Sequence, residues 1–330
     1  MRIAFRADGS PTRGTGHVMR TLTLAESARE HGHEPMLFVN DTGVEWLEEF
    51  IGDTGLPVVR VPLGKLTLEQ FAGFDPQRVL VDSYDYSDDA IDAIAAHVRT
   101  AVIVDFNDRT ASAALYIDPN LGGKAREPHS AQWLAGSEYT IIRPAVRAQR
   151  DEDGATFDTE RPRVLVFVGG SDPLGLTASV ARAIADEVPG AVVSTVGNET
   201  SRTELLDLVD AGRVSFSYPG TELPRLMGES DIIVCAAGTS AWDVATIGKP
   251  ALFIGVVDNQ MVSIAQIRQH DLGPVVDATE LTGSALSRAV QQGVREILAD
   301  DQLRLARFQR MTTLFDGLGS SRIIGALCGN

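Results

Sequence analysis

Residues 3–28 read IAFRADGSPTRGTGHVMRTLTLAESA, which joins a short apolar run, a glycine-rich loop and a helical pattern. The run Ile3–Phe5 predicts a buried strand. After the loop, apolar residues recur on one helical stripe, which comprises Val18, Leu22, Ala25 and Ala28. Gly32 stands where a helix C-cap is expected. The segment therefore predicts strand, loop and helix, the repeating unit of a parallel α/β sheet.

The same alternation of short apolar runs and helical segments continues through the chain. In the first half, strands are predicted near Ile3–Phe5, Met36–Val39, Val58–Val61, Arg78–Val81, Ala101–Val104 and Tyr139–Ile142. In the second half, strands are predicted near Arg163–Val168, Ala191–Val196, Val214–Phe216, Asp231–Cys235, Ala251–Ile254 and Pro274–Val276. The predicted fold class is α/β, with two Rossmann-like domains that each contain a parallel sheet.

A polar segment separates the two series of strands. Residues 148–162 cannot bury an apolar face, so we predict an interdomain linker there. The first domain is then 1–147 and the second is 163–330. The last helical segment can pack back on the first domain, a point that periodicity alone leaves open.

Composition restricts the partners of this chain. Its 330 residues include 29 basic and 45 acidic ones, a net charge of −16 that repels nucleic acid. Cys235 and Cys328 are far apart and lack zinc-ligand spacing, which fits a reducing compartment. The first residues lack a signal-peptide pattern, and no apolar run approaches the roughly 20 residues that span a bilayer. We expect a cytoplasmic protein with no membrane partner.

Ligands of open α/β sheets bind at the carboxyl ends of strands, so the loops there are the candidate sites. The loop after the first strand contains Asp8, Gly14 and Gly16 and ends in His17 at a predicted helix N-terminus. That position favours a neutral imidazole, which can accept a proton from water. A solvent-exposed histidine at a helix start is the structural alternative, and the GxGH pattern alone leaves it open.

Acidic and amide side chains follow three further segments of the first half. Asp82 and Tyr84 follow one predicted strand, Asp105 and Asp108 follow the next, and Asn120 ends the run Tyr-Ile-Asp-Pro-Asn at residues 116–120. Carboxylates at such strand ends can bind sugar hydroxyls. Aspartate is also a common turn and cap former, so both interpretations stay open.

Two loops of the second half have the composition of phosphate sites. The first comprises Gly169, Gly170, Ser171 and Asp172. The second comprises Gly238, Thr239 and Ser240, whose N–H groups at a helix start can cradle a diphosphate. Asp243, one turn further, can reach a ribose hydroxyl. Helix capping by the Ser, Thr and Asp side chains is the structural alternative for both loops.

Several common enzyme classes lack their motifs here. The chain contains no HExxH, GxSxG, Walker-type GKS or Cys/His metal signature, so we expect neither a metal nor another cofactor. Gly9, Gly14 and Gly16 do not form GxGxxG, which disfavours an NAD-dependent dehydrogenase.

Taken together and in order, these motifs resemble the UDP-sugar hydrolases of the pseudaminic acid pathway and the related spore-coat polysaccharide biosynthesis proteins. The matching segments are 5–9, 14–25, 81–84, 105–109, 169–172, 238–240 and 258–260. The resemblance implies a glycosyltransferase-B (GT-B) type architecture without a metal. It also implies that the sugar faces the first domain and that UDP is held mainly by the second, with Asn259 and Gln260 among the nucleotide-binding residues.

The resemblance also implies a reaction. That family hydrolyses UDP-2,4-diacetamido-2,4,6-trideoxy-β-L-altropyranose at the anomeric carbon with inversion, and His17 matches its catalytic base. Asp243 departs from the glutamate expected in many relatives, which leaves the nucleotide and the sugar open. We therefore expect a nucleotide-sugar hydrolase. The alternatives are a glycosyltransferase that uses an acceptor hydroxyl and a non-catalytic nucleotide-sugar binding protein.

Overall fold

The structure is a computed structural model that describes residues 1–126, 131–151, 156–169, 172, 174–257 and 260–329. The chain divides into two units. One unit is Met1–Arg143 with Asp316–Asn330, and the other is Pro144–Phe315. The end of the chain, which periodicity could not place, therefore belongs to the first unit. No helix among the described residues is long and apolar enough to cross a membrane.

The first unit contains a seven-stranded sheet in which all strands are parallel. Its strands are β1 (Arg2–Ala7), β2 (Glu34–Val39), β3 (Val58–Arg60), β4 (Arg78–Asp82), β5 (Arg99–Ile103), β6 (Leu115–Asp118) and β7 (Gln132–Ala135). Their order is β3-β2-β1-β4-β5-β6-β7. Its described α-helices are α1 (Gly16–Glu30), α2 (Glu45–Asp53), α3 (Asp88–Ala95) and α13 (Gly319–Cys328), and short 3₁₀ turns span Leu68–Phe71 and Ser137–Tyr139.

Both faces of the first sheet are buried, which explains its nearly continuous apolar strands. Alternate residues of β1 point to opposite faces, so Ile3 and Phe5 join one apolar cluster while Ala4 joins the other. The predicted stripe of α1 is fully buried on the Ile3 side. Helix α13 packs there beside α1, and its residues Ile323 and Leu327 enter the same cluster.

The second unit contains a six-stranded parallel sheet in the order β10-β9-β8-β11-β12-β13. Its strands are β8 (Arg163–Phe167), β9 (Val192–Val196), β10 (Val214–Ser217), β11 (Ile232–Ala236), β12 (Ala251–Gly255) and β13 (Val275–Asp277). Its described helices are α4 (Pro144–Arg147), α5 (Leu176–Glu187), α6 (Glu199–Glu204), α7 (Leu206–Asp210), α8 (Leu223–Glu229), α9 (Thr239–Ile247), α10 (Met261–Gln269), α11 (Gly283–Ala299) and α12 (Asp301–Leu314). Two parallel α/β sheets confirm the predicted fold class.

The described start of the predicted linker is bound to the second unit. Arg150 donates to the carbonyl oxygens of Thr246, Thr312 and Phe315, and the N–H of Asp151 donates to Ile247. Helix α4 also packs on α8 and α9. The division between the units therefore falls after Arg143, slightly before the boundary predicted from polarity.

One predicted strand is wrong and two strands escaped prediction. Residues 137–139 form a 3₁₀ turn and residues 140–143 belong to no strand, so the predicted strand Tyr139–Ile142 does not exist. The sheet continues instead through β6 and β7, where Tyr116 and Trp133 stack with ring centroids 4.8 Å apart. Both strands are four residues long, and β6 is followed by Pro119. Every other predicted strand overlaps an observed one.

Candidate active site

The loop between β1 and α1 turns back tightly before the helix begins. Ser10 and Gly14 exchange backbone hydrogen bonds of 3.3 and 2.9 Å, and Gly14 has a φ of 81°, which favours glycine. A Cβ on Gly9 would lie 2.9 Å from Val18 Cγ2, so the loop packs directly on α1. Helix α1 begins at Gly16 without a side-chain cap, which places His17 in its first turn.

His17 is paired with a buried carboxylate. Its Nδ1 lies 2.7 Å from Oδ1 of Asp82, the last residue of β4, and the His17 side chain remains 17% exposed. An ionised carboxylate only accepts hydrogen bonds, so Nδ1 carries the proton and Nε2 is left as the acceptor. Arg20 Nη2 lies 3.0 Å from the same Nδ1, but a guanidinium only donates. That contact is therefore proximity rather than a hydrogen bond.

Arg20, one turn after His17 on α1, binds two carboxylates at once. Its Nε and Nη2 donate to the two oxygens of Asp82, both at 2.5 Å, and its Nη1 donates to Asp105 Oδ1 at 2.8 Å. Burial alone would raise the pKa of Asp82 and of Asp105, but the guanidinium outweighs burial and holds both pKa values below the ordinary range. Both carboxylates are therefore ionised at neutral pH.

Tyr84 and Asn120 complete the surroundings of Asp105. The Tyr84 hydroxyl donates to Asp105 Oδ2 at 2.6 Å, and the Asn120 amide donates to Asp105 Oδ1 at 2.8 Å. The Tyr84 ring meets the His17 ring edge-on, with centroids 4.6 Å apart. Partial burial and the Asp105 carboxylate raise the pKa of Tyr84, so its phenol stays protonated. The Tyr84 side chain is half-exposed beside His17.

The structure brings five of the sugar-side candidates together with Arg20, and we call these six residues the His17 cluster. Its members are His17, Arg20, Asp82, Tyr84, Asp105 and Asn120. They come from α1 and from the ends of β4, β5 and β6, which are adjacent to β1 or to one another in the sheet. The oxygens of Asp82 and Asp105 accept from protein donors, so both carboxylates hold other side chains in place.

Two predicted carboxylates lie outside this cluster. Asp8 is buried and accepts hydrogen bonds from Arg6 Nη1 at 2.7 Å, Tyr86 Oη at 2.7 Å and Gly64 N at 3.0 Å. These bonds anchor neighbouring loops, and a substrate contact of Asp8 stays a proposal. Asp108 has an exposed carboxylate whose described ion pair, to Arg126, is 3.4 Å long.

Metal binding can be judged from the same residues. Ligand atoms of His17, Asp82 and Asp105 lie within 4.8 Å of one another, a spacing that metal ions use. The Arg20 guanidinium already binds both carboxylates, so a cation would meet a fixed positive charge there. The donor set fits a proton-transfer site better than a metal centre.

In the second unit, the loop after β11 leads into an uncapped helix. Strand β11 is fully buried, and α9 begins at Thr239 with Gly238 at its N-cap and no side-chain capping bond. Among the described residues, no hydrogen bond supports the capping alternative for Thr239 and Ser240. Asp243 lies in the second turn of α9 and is half-buried.

Gln260 lies beside this helix start. Its Nε2 is 3.3 Å from the position that a Cβ on Gly238 would occupy, and its Oε1 accepts from Val256 N at 3.0 Å. Two of the predicted nucleotide-binding residues, Gly238 and Gln260, are thus neighbours at the carboxyl edge of the second sheet.

The glycine-rich loop after β8 behaves differently. Asp172 is buried, and its carboxylate accepts from Leu176 N at 2.8 Å and Thr177 N at 3.0 Å. The N-cap residue of α5 is Gly175, so Asp172 binds these N–H groups from outside the helix, and its predicted nucleotide contact stays a proposal. Gly169 has a φ of 89°. Gly170, Ser171 and Asn259 lie outside the described residues.

Arg20 is the site residue that sequence reasoning missed. It lies three positions after His17, a spacing that places two side chains on the same face of a helix. It is also a charged residue that is only 8% exposed. A lone arginine at that spacing was a usable signal, but its carboxylate partners are remote in sequence.

Comparisons with known proteins give the second unit a family resemblance. Residues 164–312 match the glycosyltransferase family 28 C-terminal domain. The chain is 23% identical to the spore coat polysaccharide biosynthesis protein SpsG of Bacillus subtilis (strain 168), with 99% of this chain and 98% of SpsG covered. It is 21% identical to the uncharacterized protein MJ1062 of Methanocaldococcus jannaschii, with 77% of this chain covered, and it spans 55% of that protein's length.

Solved structures show the same fold over the whole chain. MurG of Acinetobacter baumannii superposes with a TM-score of 0.65 at 14% identity, covering 100% of this chain and 99% of MurG. The spinosyn rhamnosyltransferase SpnG, complexed with spinosyn aglycone, gives a TM-score of 0.67 at 15% identity, covering 98% of this chain and 100% of SpnG. These TM-scores establish a GT-B-like fold with two parallel-sheet α/β domains.

Proposed function

We propose that the protein hydrolyses a nucleotide-activated sugar, with water attacking the anomeric carbon and His17 acting as the general base. The observation that carries this proposal is the 2.7 Å hydrogen bond between His17 Nδ1 and Asp82. It fixes the ring and leaves Nε2 as an acceptor at the carboxyl edge of the first sheet, where ligands of such sheets bind. The similarity to UDP-sugar hydrolases supports water as the attacking group.

The proposed step is a single displacement with inversion. A proton of water passes to His17 Nε2 while the water oxygen bonds to C1 of the sugar. The bond between C1 and the diphosphate oxygen breaks, and its electron pair leaves with the nucleotide. Asp82 stabilises the imidazolium that forms, because its carboxylate holds the proton on Nδ1. No metal or other cofactor takes part in this proposal.

We propose that the second unit binds the nucleotide. The N–H groups at the uncapped start of α9 suit a diphosphate, with Gln260 beside them. The family 28 match covers this region, and the structures of SpnG, SsfS6 and VinC were solved with thymidine diphosphate. UDP is the nucleotide that the sequence resemblance implies. Predicted contacts that remain proposals are Gly169, Gly170, Ser171, Thr239, Ser240, Asp243 and Asn259.

On the sugar side, Gly14, Gly16 and Tyr84 remain proposed substrate contacts, with Asp108 and Asn120 as further candidates. Tyr84 suits this role because its half-exposed ring lies against His17. A cytoplasmic location also stays a proposal, and it fits the two free, buried cysteines.

Glycosyl transfer is the second candidate function. The match to a glycosyltransferase domain and the fold of SpnG favour it. The same base would then take its proton from an acceptor hydroxyl, so the His17 cluster serves either reaction equally well.

The test supplies UDP-, TDP- and CDP-sugars to the whole chain, with and without candidate acceptor alcohols, and quantifies free sugar and nucleoside diphosphate by ion-exchange chromatography. Hydrolysis predicts release without an acceptor and its loss in His17→Ala. His97→Ala is the matched control, because His97 is an exposed histidine outside the cluster. Release that requires an acceptor would establish transfer. Binding without any turnover would establish a non-catalytic protein.

A further inference from the structure

We propose that Arg20 is a positioning residue that sets the pH at which the His17–Asp82 pair takes up its proton. This inference rests on the proposed role of His17 as a base. Arg20 does not face the substrate in this proposal; it acts through the carboxylate that holds the imidazole.

The contacts of Arg20 are those of a fixed, buried cation. Its planar guanidinium donates hydrogen bonds to both oxygens of Asp82 and contacts the Asp105 carboxylate with Nη1 and Nη2. Bidentate geometry of this kind fixes a carboxylate in orientation as well as in charge. Asp82 is therefore held in the one orientation that presents Oδ1 to His17 Nδ1.

The charges in the His17 cluster show why an arginine is needed. With neutral His17, Arg20, Asp82 and Asp105 sum to −1, and protonation of the imidazole brings this sum to zero. Without Arg20 the sum would be −2, so the pair would take up its proton at higher pH and the base would be blocked near neutrality. The groups that face His17 are Asp82 from β4, Arg20 from α1 and the neutral phenol of Tyr84, with Asp105 behind them.

The backbone at Asp105 supports the same conclusion. Asp105 and Phe106 have φ values of 45° and 65°, so two consecutive non-glycine residues adopt the left-handed region. Such backbone persists only where its surroundings hold it. Donors from Arg20, Tyr84 and Asn120 all converge on the Asp105 carboxylate, which keeps this counter-charge at a fixed distance from Arg20.

The first experiment compares pH–rate profiles of kcat for wild type, Arg20→Met, Arg20→Lys and Asp105→Asn. In Arg20→Met, the acid limb of the kcat profile should move to higher pH by about one unit. Its kcat should therefore be about tenfold lower at neutral pH and should recover at alkaline pH. Arg20→Lys keeps the positive charge, so its acid limb should move less than that of Arg20→Met. Asp105→Asn removes a negative charge, so its limb should move downward. KM should change much less than kcat.

Arg29→Met is the matched control, because Arg29 lies on the same helix, is 48% exposed and donates to the Thr54 carbonyl. Its profile should coincide with that of wild type. An equal loss of kcat at every pH in Arg20→Met, or shifts of the same sign in Arg20→Met and Asp105→Asn, would overturn the inference. Circular dichroism and thermal melting identify variants that fail to fold, and the Asp105→Asn result then decides.

The second experiment needs no turnover. ¹⁵N NMR of the imidazole rings, with the His17 signals identified by their absence in His17→Gln, reports the tautomer and the proton uptake of the pair. Wild type should show the Nδ1–H tautomer, and Arg20→Met should take up the proton at higher pH. This shift without hydrolysis of any nucleotide sugar would refute the proposed function but keep the inference. Hydrolysis without this shift would refute the inference alone.

Discussion

The carboxyl edges of the two sheets share a topology but carry different chemistry. In each sheet the strand order reverses beside the first strand. This switch point lies between β1 and β4 in the first unit and between β8 and β11 in the second. The first edge holds ionised side chains, among which Asp82 and Asp105 are bound by Arg20. The second edge offers glycine and hydroxyl residues at the uncapped start of α9.

One topology therefore serves two tasks. Proton transfer needs a side chain whose orientation and charge are fixed, and the His17 cluster supplies these through buried ion pairs. Binding of an anion needs unpaired donors near the ligand, and backbone N–H groups at a helix start supply these without a net charge. Substitutions at the first edge should therefore change turnover, and substitutions at the second should change nucleotide affinity.

The largest expected effect is that of His17→Ala. Removal of a general base should lower kcat by about 10²–10⁴-fold while the dissociation constant of UDP stays within about twofold of wild type. Steady-state kinetics and titration calorimetry measure the two quantities. A large loss of UDP affinity would mean that the two edges do not divide the tasks as proposed.

Asp82→Ala should cause the largest loss of stability. It leaves Arg20 as a buried charge without one of its two partners, and breaking a buried pair costs about 3–5 kcal/mol. Urea unfolding measures this loss. Asp186→Ala serves as the control, because Asp186 pairs with Arg213 at the surface and should cost about 0–1 kcal/mol. Equal losses in the two variants would contradict the structural role of the cluster.

Acid sensitivity follows from the lowered pKa values of Asp82 and Asp105. Unfolded carboxylates take up protons at higher pH than these native ones do, so their stabilising contribution is complete above the ordinary Asp pKa near 3.9 and is lost as the pH falls below it. Each unit by which a pKa is lowered contributes about 1.4 kcal/mol. The free energy of unfolding, measured with urea, should fall less from pH 6 to pH 3 in Asp105→Asn than in wild type. Equal falls would contradict the lowered pKa of Asp105.

The smallest expected effect belongs to the second edge. Gly238→Ala places a methyl group beside Gln260 Nε2 at the start of α9, so UDP affinity should fall about fivefold, or ~1 kcal/mol, with the acid limb of kcat unchanged. Gly325→Ala is the control, because a Cβ there meets nothing within 4 Å. An altered acid limb in Gly238→Ala would show that the edges are coupled.

The sequence predicted the features that depend on short-range pattern. Eleven of the twelve predicted strands are observed, because buried parallel strands read as nearly continuous apolar runs. The four-residue strands β6 and β7 were missed, and their length does not explain this, because β3, β10 and β13 are equally short or shorter and were predicted. The stripe of α1 and the position of His17 in its first turn also followed from periodicity.

The partners within the site could not be read in the same way. Asp82 and Asp105 were expected to meet a sugar, yet their oxygens accept from Arg20, which lies 62 and 85 positions away along the chain. Only the sheet order brings these residues together. Asp8 shows the same limit, because its partners Tyr86 and Gly64 reach it from distant loops.

Turnover in ¹⁸O-labelled water, analysed by mass spectrometry of both products, tests whether water attacks the anomeric carbon. The expected result is one ¹⁸O atom in the released sugar and none in the nucleoside diphosphate. Label in the nucleoside diphosphate would mean that water attacks phosphorus, and it would contradict the proposed mechanism.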